Sequence, residues 1–153
     1  FEAPLGTFFL REESTKPIIF LAGGTGFAPI KSVIEHALHI HTDREMVLYW
    51  GCRSLADLYM PHLPVQWANE KPNFTFIPVL SDPKAEDNWA GRTGFAHQAV
   101  LDDFDSLAGY QVYACGAPPM IDIARETFAA RGLPDDEFFA DSFTFAPQAA
   151  PTL

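Results

Sequence analysis

Basic residues are scarce in this chain. Ten Lys and Arg stand against twenty Asp and Glu in 153 residues, a formal net charge of −10. Binding to a polyanion draws on a basic surface, so no nucleic acid is expected as a partner. Cysteine is scarcer still. Cys52 and Cys115 are the only two, too few for a disulfide framework, and a reduced, cytoplasmic setting is the expectation. No apolar run reaches the ~18 residues that span a bilayer, and no signal-peptide pattern is visible, so no membrane partner is expected either. An initiator Met is lacking: the chain starts at Phe1 and is read as a piece of a longer polypeptide. What is abundant is apolar, with 48% hydrophobic residues and 14 Phe. A chain of this length suits one domain, able to bury roughly 70% of its unfolded surface without staples. The one low-complexity stretch is APQAAPTL at 146–153, which reads as a disordered tail.

Short apolar runs alternate with helical patterns. Strands are expected at 18–22, 46–50, 74–80, 110–114 and 137–140, and helices at 27–40, 61–70, 94–103 and 118–131. In the first helix Ile30, Val33, Ile34, Ala37 and Leu38 recur at helical spacing. The last ends at Arg131-Gly132, a cation followed by a C-terminal glycine. Strands alternating with helices imply an α/β three-layer sandwich around a parallel sheet with right-handed crossovers. Nearly continuous apolar strands fit burial on both faces. Pro78 cannot donate to a ladder and so is expected on an edge strand. A five-stranded order 3-2-1-4-5 puts it there. The loops after strands one and four, near 23–26 and 115–119, then flank one crevice at the point where the strand order reverses. Ligands of open α/β sheets bind at such a switch point.

FLAGGTGFAPI, residues 20–30, sits at that crevice. Gly23, Gly24, Thr25 and Gly26 follow the first strand and lead into the first helix, the context a phosphate-binding loop requires. Glycines let backbone N–H groups approach an anion, and the helix N-terminus adds partial positive charge. Pro29 stands where the dinucleotide fingerprint has its last glycine, and the first helical turn tolerates it. The acid that binds a ribose at the end of the second strand is also absent; that strand runs into Gly51-Cys52-Arg53. Spacing alone therefore says a phosphate-binding α/β loop outside the Rossmann pattern. The alternative is a tight strand-to-helix turn that holds nothing.

GGTGFAP at 23–29, YWGCRS at 49–54 with DLY behind it, GRTG at 91–94, YACGAPPM at 113–120 and FFADSFTF at 138–145 occur in that order. Together they resemble the NAD(P)-binding domain of the ferredoxin–NADP reductase superfamily, over roughly positions 1 to 145. The nearest likeness is to CDP-6-deoxy-glucoseen reductases and NAD(P)H:flavin reductases. APLGTFFL at 3–10 resembles the last strand of the flavin-binding barrel that precedes this domain in the family, with Ala3 in place of the usual glycine. The resemblance thus implies the end of an upstream barrel and a linker at 1–12, an NAD(P)-binding domain at 13–145, and the tail beyond.

It also implies an NAD(P)H-dependent flavoprotein oxidoreductase that passes electrons to an iron–sulfur centre or acceptor protein. A reductase that releases reduced flavin, or a nucleotide-binding module without catalysis, are the alternatives. As a fragment the chain is expected to be inactive alone. The implied cofactors are NADH or NADPH, with NADH favoured because no further basic residues follow Arg53 before Lys71. FAD would be held mainly by the upstream domain. A 2Fe-2S cluster in a ferredoxin-like module of the same polypeptide is a further expectation; the four clustered cysteines it needs are not in this chain. An electron-accepting dehydrase or oxygenase is the expected partner.

By the same resemblance, Cys115 and Asp141 would position the nicotinamide against the flavin. Gly23, Gly24, Thr25, Gly26 and Pro29 would hold the pyrophosphate. Gly51, Cys52, Arg53 and Ser54 would hold the adenosine end. Gly116, Pro118 and Met120 would shape the wall, and Phe143 or Phe145 would cover the flavin ring. Each has a plainer reading: Cys115 as a buried small hydrophobe, Pro118 as a helix start, the phenylalanines as core. Thr93 is expected as a helix N-cap, and Arg92 as the partner of a surface acid or of the pyrophosphate. His36, His39 and His41 suit a helix C-terminus, and no metal site is expected.

Overall fold

The computed structural model describes residues 8–58 and 60–142. Its strands are β1 (Ile18–Gly23), β2 (Met46–Cys52), β3 (Phe74–Leu80), β4 (Arg92–Thr93), β5 (Gln111–Gly116) and β6 (Phe138–Ser142). Its longer helices are α1 (Phe27–His39), α2 (His62–Glu70), α3 (Ala96–Asp103) and α4 (Pro118–Ala130). The sheet order is β4-β3-β2-β1-β5-β6, and every pair is parallel.

Period-two alternation along the strands builds two cores. From β1, Ile18, Phe20 and Ala22 pack on one face with Phe27, Ile30 and Ile34 of α1 and Trp67 of α2. Ile19 and Leu21 pack on the other with Ala99 and Val100 of α3 and Ile121, Ala124 and Phe128 of α4. Burial on both sides is what a parallel sheet flanked by helices demands. The three layers and the order of the five long strands match the sequence expectation. The sheet has six strands, however, not five. The sixth, β4, pairs only through Val79↔Arg92 and Leu80↔Thr93, so the strand carrying Pro78 is not outermost. Pro78 is compatible with this because β4 begins its pairing one residue beyond it.

One further expectation is corrected. Thr93 lies in β4 and is not a helix cap; Phe95 precedes α3, without a side-chain cap. The backbone turns at Gly94, whose φ is +108°, and this separates Thr93 from the helix. Phe8 and Leu10, ahead of β1, are buried in the core cluster that holds α1. Phe8 lies edge-on to Tyr113 of β5, with 6.2 Å between ring centres. No helix among the described residues is long and apolar enough to cross a membrane.

Candidate functional site

Because all six strands are parallel, their carboxyl ends share one edge, and the loops leaving them meet there. A cleft of about 460 Å³ opens at that edge, within the range of small-molecule sites. Its lining comes from four loops and one helix: Gly23 and Gly24 after β1; Gly51, Cys52, Arg53 and Asp57 around the end of β2; Ser81 after β3; Gly94, Phe95 and Ala96 at the start of α3; and Met120 in α4.

The chain reaches this geometry through its glycines. Gly24 has φ +55°, a backbone state costly for any residue with a Cβ, and the space where a Cβ would project is open to 4 Å. Gly51 admits α3: a Cβ there would lie 2.9 Å from that of Ala96. The Met120 methyl sits over Gly23 and Gly116, where added Cβ atoms would lie 3.0 and 2.5 Å from it. Gly23, Gly24 and Gly51, with Gly94, therefore present main chain to the cleft. Such a cradle, beside the first turn of α1, suits a diphosphate better than it suits an apolar ligand.

The turn after β2 is braced by hydrogen bonds. Ser81 N–H donates to the Cys52 carbonyl at 2.8 Å and Asp82 N–H to that of Arg53 at 2.7 Å. The Ser54 N–H and hydroxyl both donate to Asp57, at 3.3 and 3.4 Å. Ser54 is thereby buried away from the cleft, while Arg53 is exposed on it. Among the described residues that line the cleft, Arg53 is the one cation and Asp57 the one carboxylate.

Cys115 and Asp141 are cross-strand neighbours in β5 and β6. Cys115 is fully buried. Burial, with the Asp141 charge adding to it, pushes its thiol up to about 12. Burial raises the Asp141 carboxyl as well. Burial and the Asp57 charge likewise push the Cys52 thiol up to about 12, against an opposing hydrogen bond from the Gly24 backbone. Both thiols are thus neutral, so neither acts as a thiolate near neutral pH. Cys115, Gly116 and Asp141 stand at the ends of β5 and β6 and are not among the residues that line the cleft.

Of the residues singled out in the sequence, Gly23, Gly24, Gly51, Cys52, Arg53 and Met120 line the cleft. Gly26 is buried against Cys115. Pro29 is the third residue of α1, Pro118 the first of α4, and neither lines the cleft. Thr25 contributes backbone to the turn at Gly24–Gly26. Phe143 and Phe145 lie outside the described residues. Arg92 forks onto Asp103 at 3.0 and 3.1 Å, so it pairs with a surface acid. His36 at the end of α1 meets Glu12 at 2.6 Å. Asp57, Ser81, Gly94, Phe95 and Ala96 were missed. The adjacency of β2 and β3 was the available signal, because the turn after the neighbouring strand must reach the same edge.

Residues 20–126 match the family described as oxidoreductase NAD-binding domain. Over 143 residues the chain is 50% identical to Protein RfbI of Salmonella typhimurium, covering 94% of this chain and 42% of that protein. Over 142 residues it is 44% identical to the CDP-6-deoxy-L-threo-D-glycero-4-hexulose-3-dehydrase reductase of Yersinia pestis, covering 93% and 42% respectively. Among solved structures, the Amycolatopsis cytochrome P450 reductase GcoB superposes with a TM-score of 0.79 at 35% identity, over 86% of this chain and 39% of that one. The chain spans 42% of the length of each of the two relatives.

Proposed function

The chain belongs to the oxidoreductase NAD-binding domains of the ferredoxin reductase superfamily, and from that premise we propose that it is the pyridine-nucleotide-binding half of a flavoprotein reductase. The observation that carries this reading is the glycine-lined cleft beside the paired ends of β5 and β6. Gly23, Gly24 and the amides of the turn into α1 hold the pyrophosphate. The Gly51–Ser54 turn, with Ser81 opposite, holds the adenosine end. Cys115 and Asp141, paired across β5 and β6, flank the nicotinamide. Met120 and Gly116 wall the same end, and Phe143 or Phe145 covers the flavin.

The chemistry, a hydride passed from nicotinamide to flavin, belongs to those groups when bound. The residues of this chain orient and shield it. FAD is held mainly by a barrel that residues 1–12 join to this domain, with electrons passing on singly to a 2Fe-2S centre in a ferredoxin-like module. The final acceptor is a dehydrase of a nucleotide-linked deoxysugar, as the name of the Yersinia relative suggests; an oxygenase is the other candidate. The setting is cytoplasmic. NADH is the preferred donor, because Asp57 stands on the same wall as Arg53 and would repel a 2′-phosphate.

Calorimetric titration with NADH and NADPH tests this. NADH should bind more tightly, and Gly24→Val should abolish binding in a folded protein. Binding unchanged in Gly24→Val would sink the loop assignment, and tighter binding of NADPH would sink the preference.

A further inference from the structure

The β1–α1 turn is gripped from below by the end of β2. The Trp50 indole is fully buried, and its N–H donates to the Gly24 carbonyl at 3.0 Å. Its ring stacks on Phe27, the first residue of α1, with centres 4.0 Å apart and planes 12° apart. The Gly24 carbonyl is thus engaged by β2.

This has a consequence for the next amide. The peptide between Gly24 and Thr25 is planar and trans, so its N–H points opposite to its C=O. With the carbonyl held down onto the indole, the Thr25 N–H is aimed away from the core. A glycine visits positive and negative φ with similar ease, so nothing in Gly24 itself prevents that peptide from turning over. Turned over, it would present an oxygen where an anion needs a donor.

We propose that Trp50 is a positioning residue for anion binding: its indole N–H locks the Gly24–Thr25 peptide so that an amide, and not a carbonyl, faces the cofactor pyrophosphate. The inference rests on the functional reading above, and it assigns a task to a residue that otherwise reads as strand core.

The test is calorimetric binding of NADH, and of inorganic pyrophosphate as a minimal probe, to wild type and three variants. Trp50→Phe keeps a ring on Phe27 and removes the N–H. Replacing Trp50 by 3-benzothienylalanine keeps the bicyclic shape and exchanges N–H for sulfur, which guards against a Phe variant that fails to fold. Trp67→Phe perturbs the same aromatic cluster, where Trp67 meets Phe27 at 6.2 Å and Phe74 at 5.7 Å, without touching the turn.

Both Trp50 variants should bind each probe about tenfold more weakly, in line with losing one donor to a charged group. Their Thr25 amide resonance should move in ¹⁵N spectra. Trp67→Phe should bind within twofold of wild type whatever its melting temperature. Wild-type affinity in the benzothienyl variant, or an equal loss in Trp67→Phe, overturns the assignment to Trp50 alone. A wild-type chain that binds neither nucleotide nor pyrophosphate overturns the functional reading along with it.

Discussion

Gly26 packs directly against the main chain of Cys115. A Cβ built on Gly26 would lie 2.6 Å from the Cys115 carbonyl carbon and 3.0 Å from the Gly116 nitrogen. Both obstacles are backbone of a central strand and cannot yield like a side-chain tip. Gly24 is the opposite case, with open space but a positive φ. Gly26→Ala should therefore cost about 3 kcal/mol, as overpacking does. Gly24→Ala should cost only about 1 kcal/mol, the price of the left-handed conformation. Urea denaturation of the two variants checks the ranking, and equal losses would show that the turn relaxes away from β5.

Arg44 makes a second tie, at the opposite edge of the sheet. Arg44 is buried, and its guanidinium donates to the carbonyls of Lys16 at 2.6 Å and Arg11 at 3.1 Å, and to Gln111 at 2.7 Å. Glu137 of the turn before β6 closes the network, accepting from Gln111 and Lys16 at 2.7 and 2.8 Å. Arg44→Met would leave three acceptors without their donor, a loss of about 3 kcal/mol. The same variant should speed hydrogen exchange at the Arg11 amide, which donates to the Tyr113 hydroxyl at 2.9 Å. Unchanged exchange there would mean that aromatic packing of Phe8 alone holds the segment.

Most of the sheet was legible because its strands are apolar runs long enough to declare themselves. β2 extends two residues beyond the expected 50, since Gly51 and Cys52 interrupt the run of large side chains without interrupting the ladder. β4 was illegible: Arg92 and Thr93 carry no alternation, and only their pairing with Val79 and Leu80 makes them a strand. The glycine half of the cleft was readable from its spacing. The half built by Ser81, Phe95 and Ala96 was not, since it depends on which loops the sheet order brings together. The Trp50 indole N–H gave no signal at all, because a tryptophan in a strand reads as packing until its partner is located.

Cys52 and Cys115 should resist alkylation in the native state. Both thiols are pushed up to about 12, more than three units above an ordinary cysteine at about 8.5, and both are buried. At pH 8 the thiolate fraction is then on the order of 1 in 10,000, against roughly a quarter for a free thiol. A disulfide-exchange reagent should titrate neither within minutes in native buffer and both on unfolding. Rapid native reaction of one thiol would show that it is neither buried nor held neutral.

Asp103 and Asp141 should shape stability in opposite senses with pH. Burial raises the Asp103 carboxyl, but hydrogen bonds from Arg92 and Tyr49, with the Arg92 charge, outweigh it and hold the group below its usual range. A depressed folded value means that the unfolded chain binds more protons, so this stabilisation is complete above about pH 4 and fades as pH falls through the folded value. Asp141 is raised by burial. The folded chain then binds more protons between about pH 4 and the folded value, so stability falls as pH rises through that window. Asp103→Asn should flatten the acid limb of a plot of melting temperature against pH. Asp141→Asn should raise the melting temperature at pH 7 and leave it unchanged at pH 3. The 2.6 Å bond from the Tyr49 hydroxyl can be kept by an asparagine oxygen, so the first variant tests the charge pair with Arg92 without emptying the site. An acid limb that keeps its slope in Asp103→Asn would move the effect to Glu137, whose carboxyl is also held low, raised by burial but drawn down further by Lys16 and Gln111.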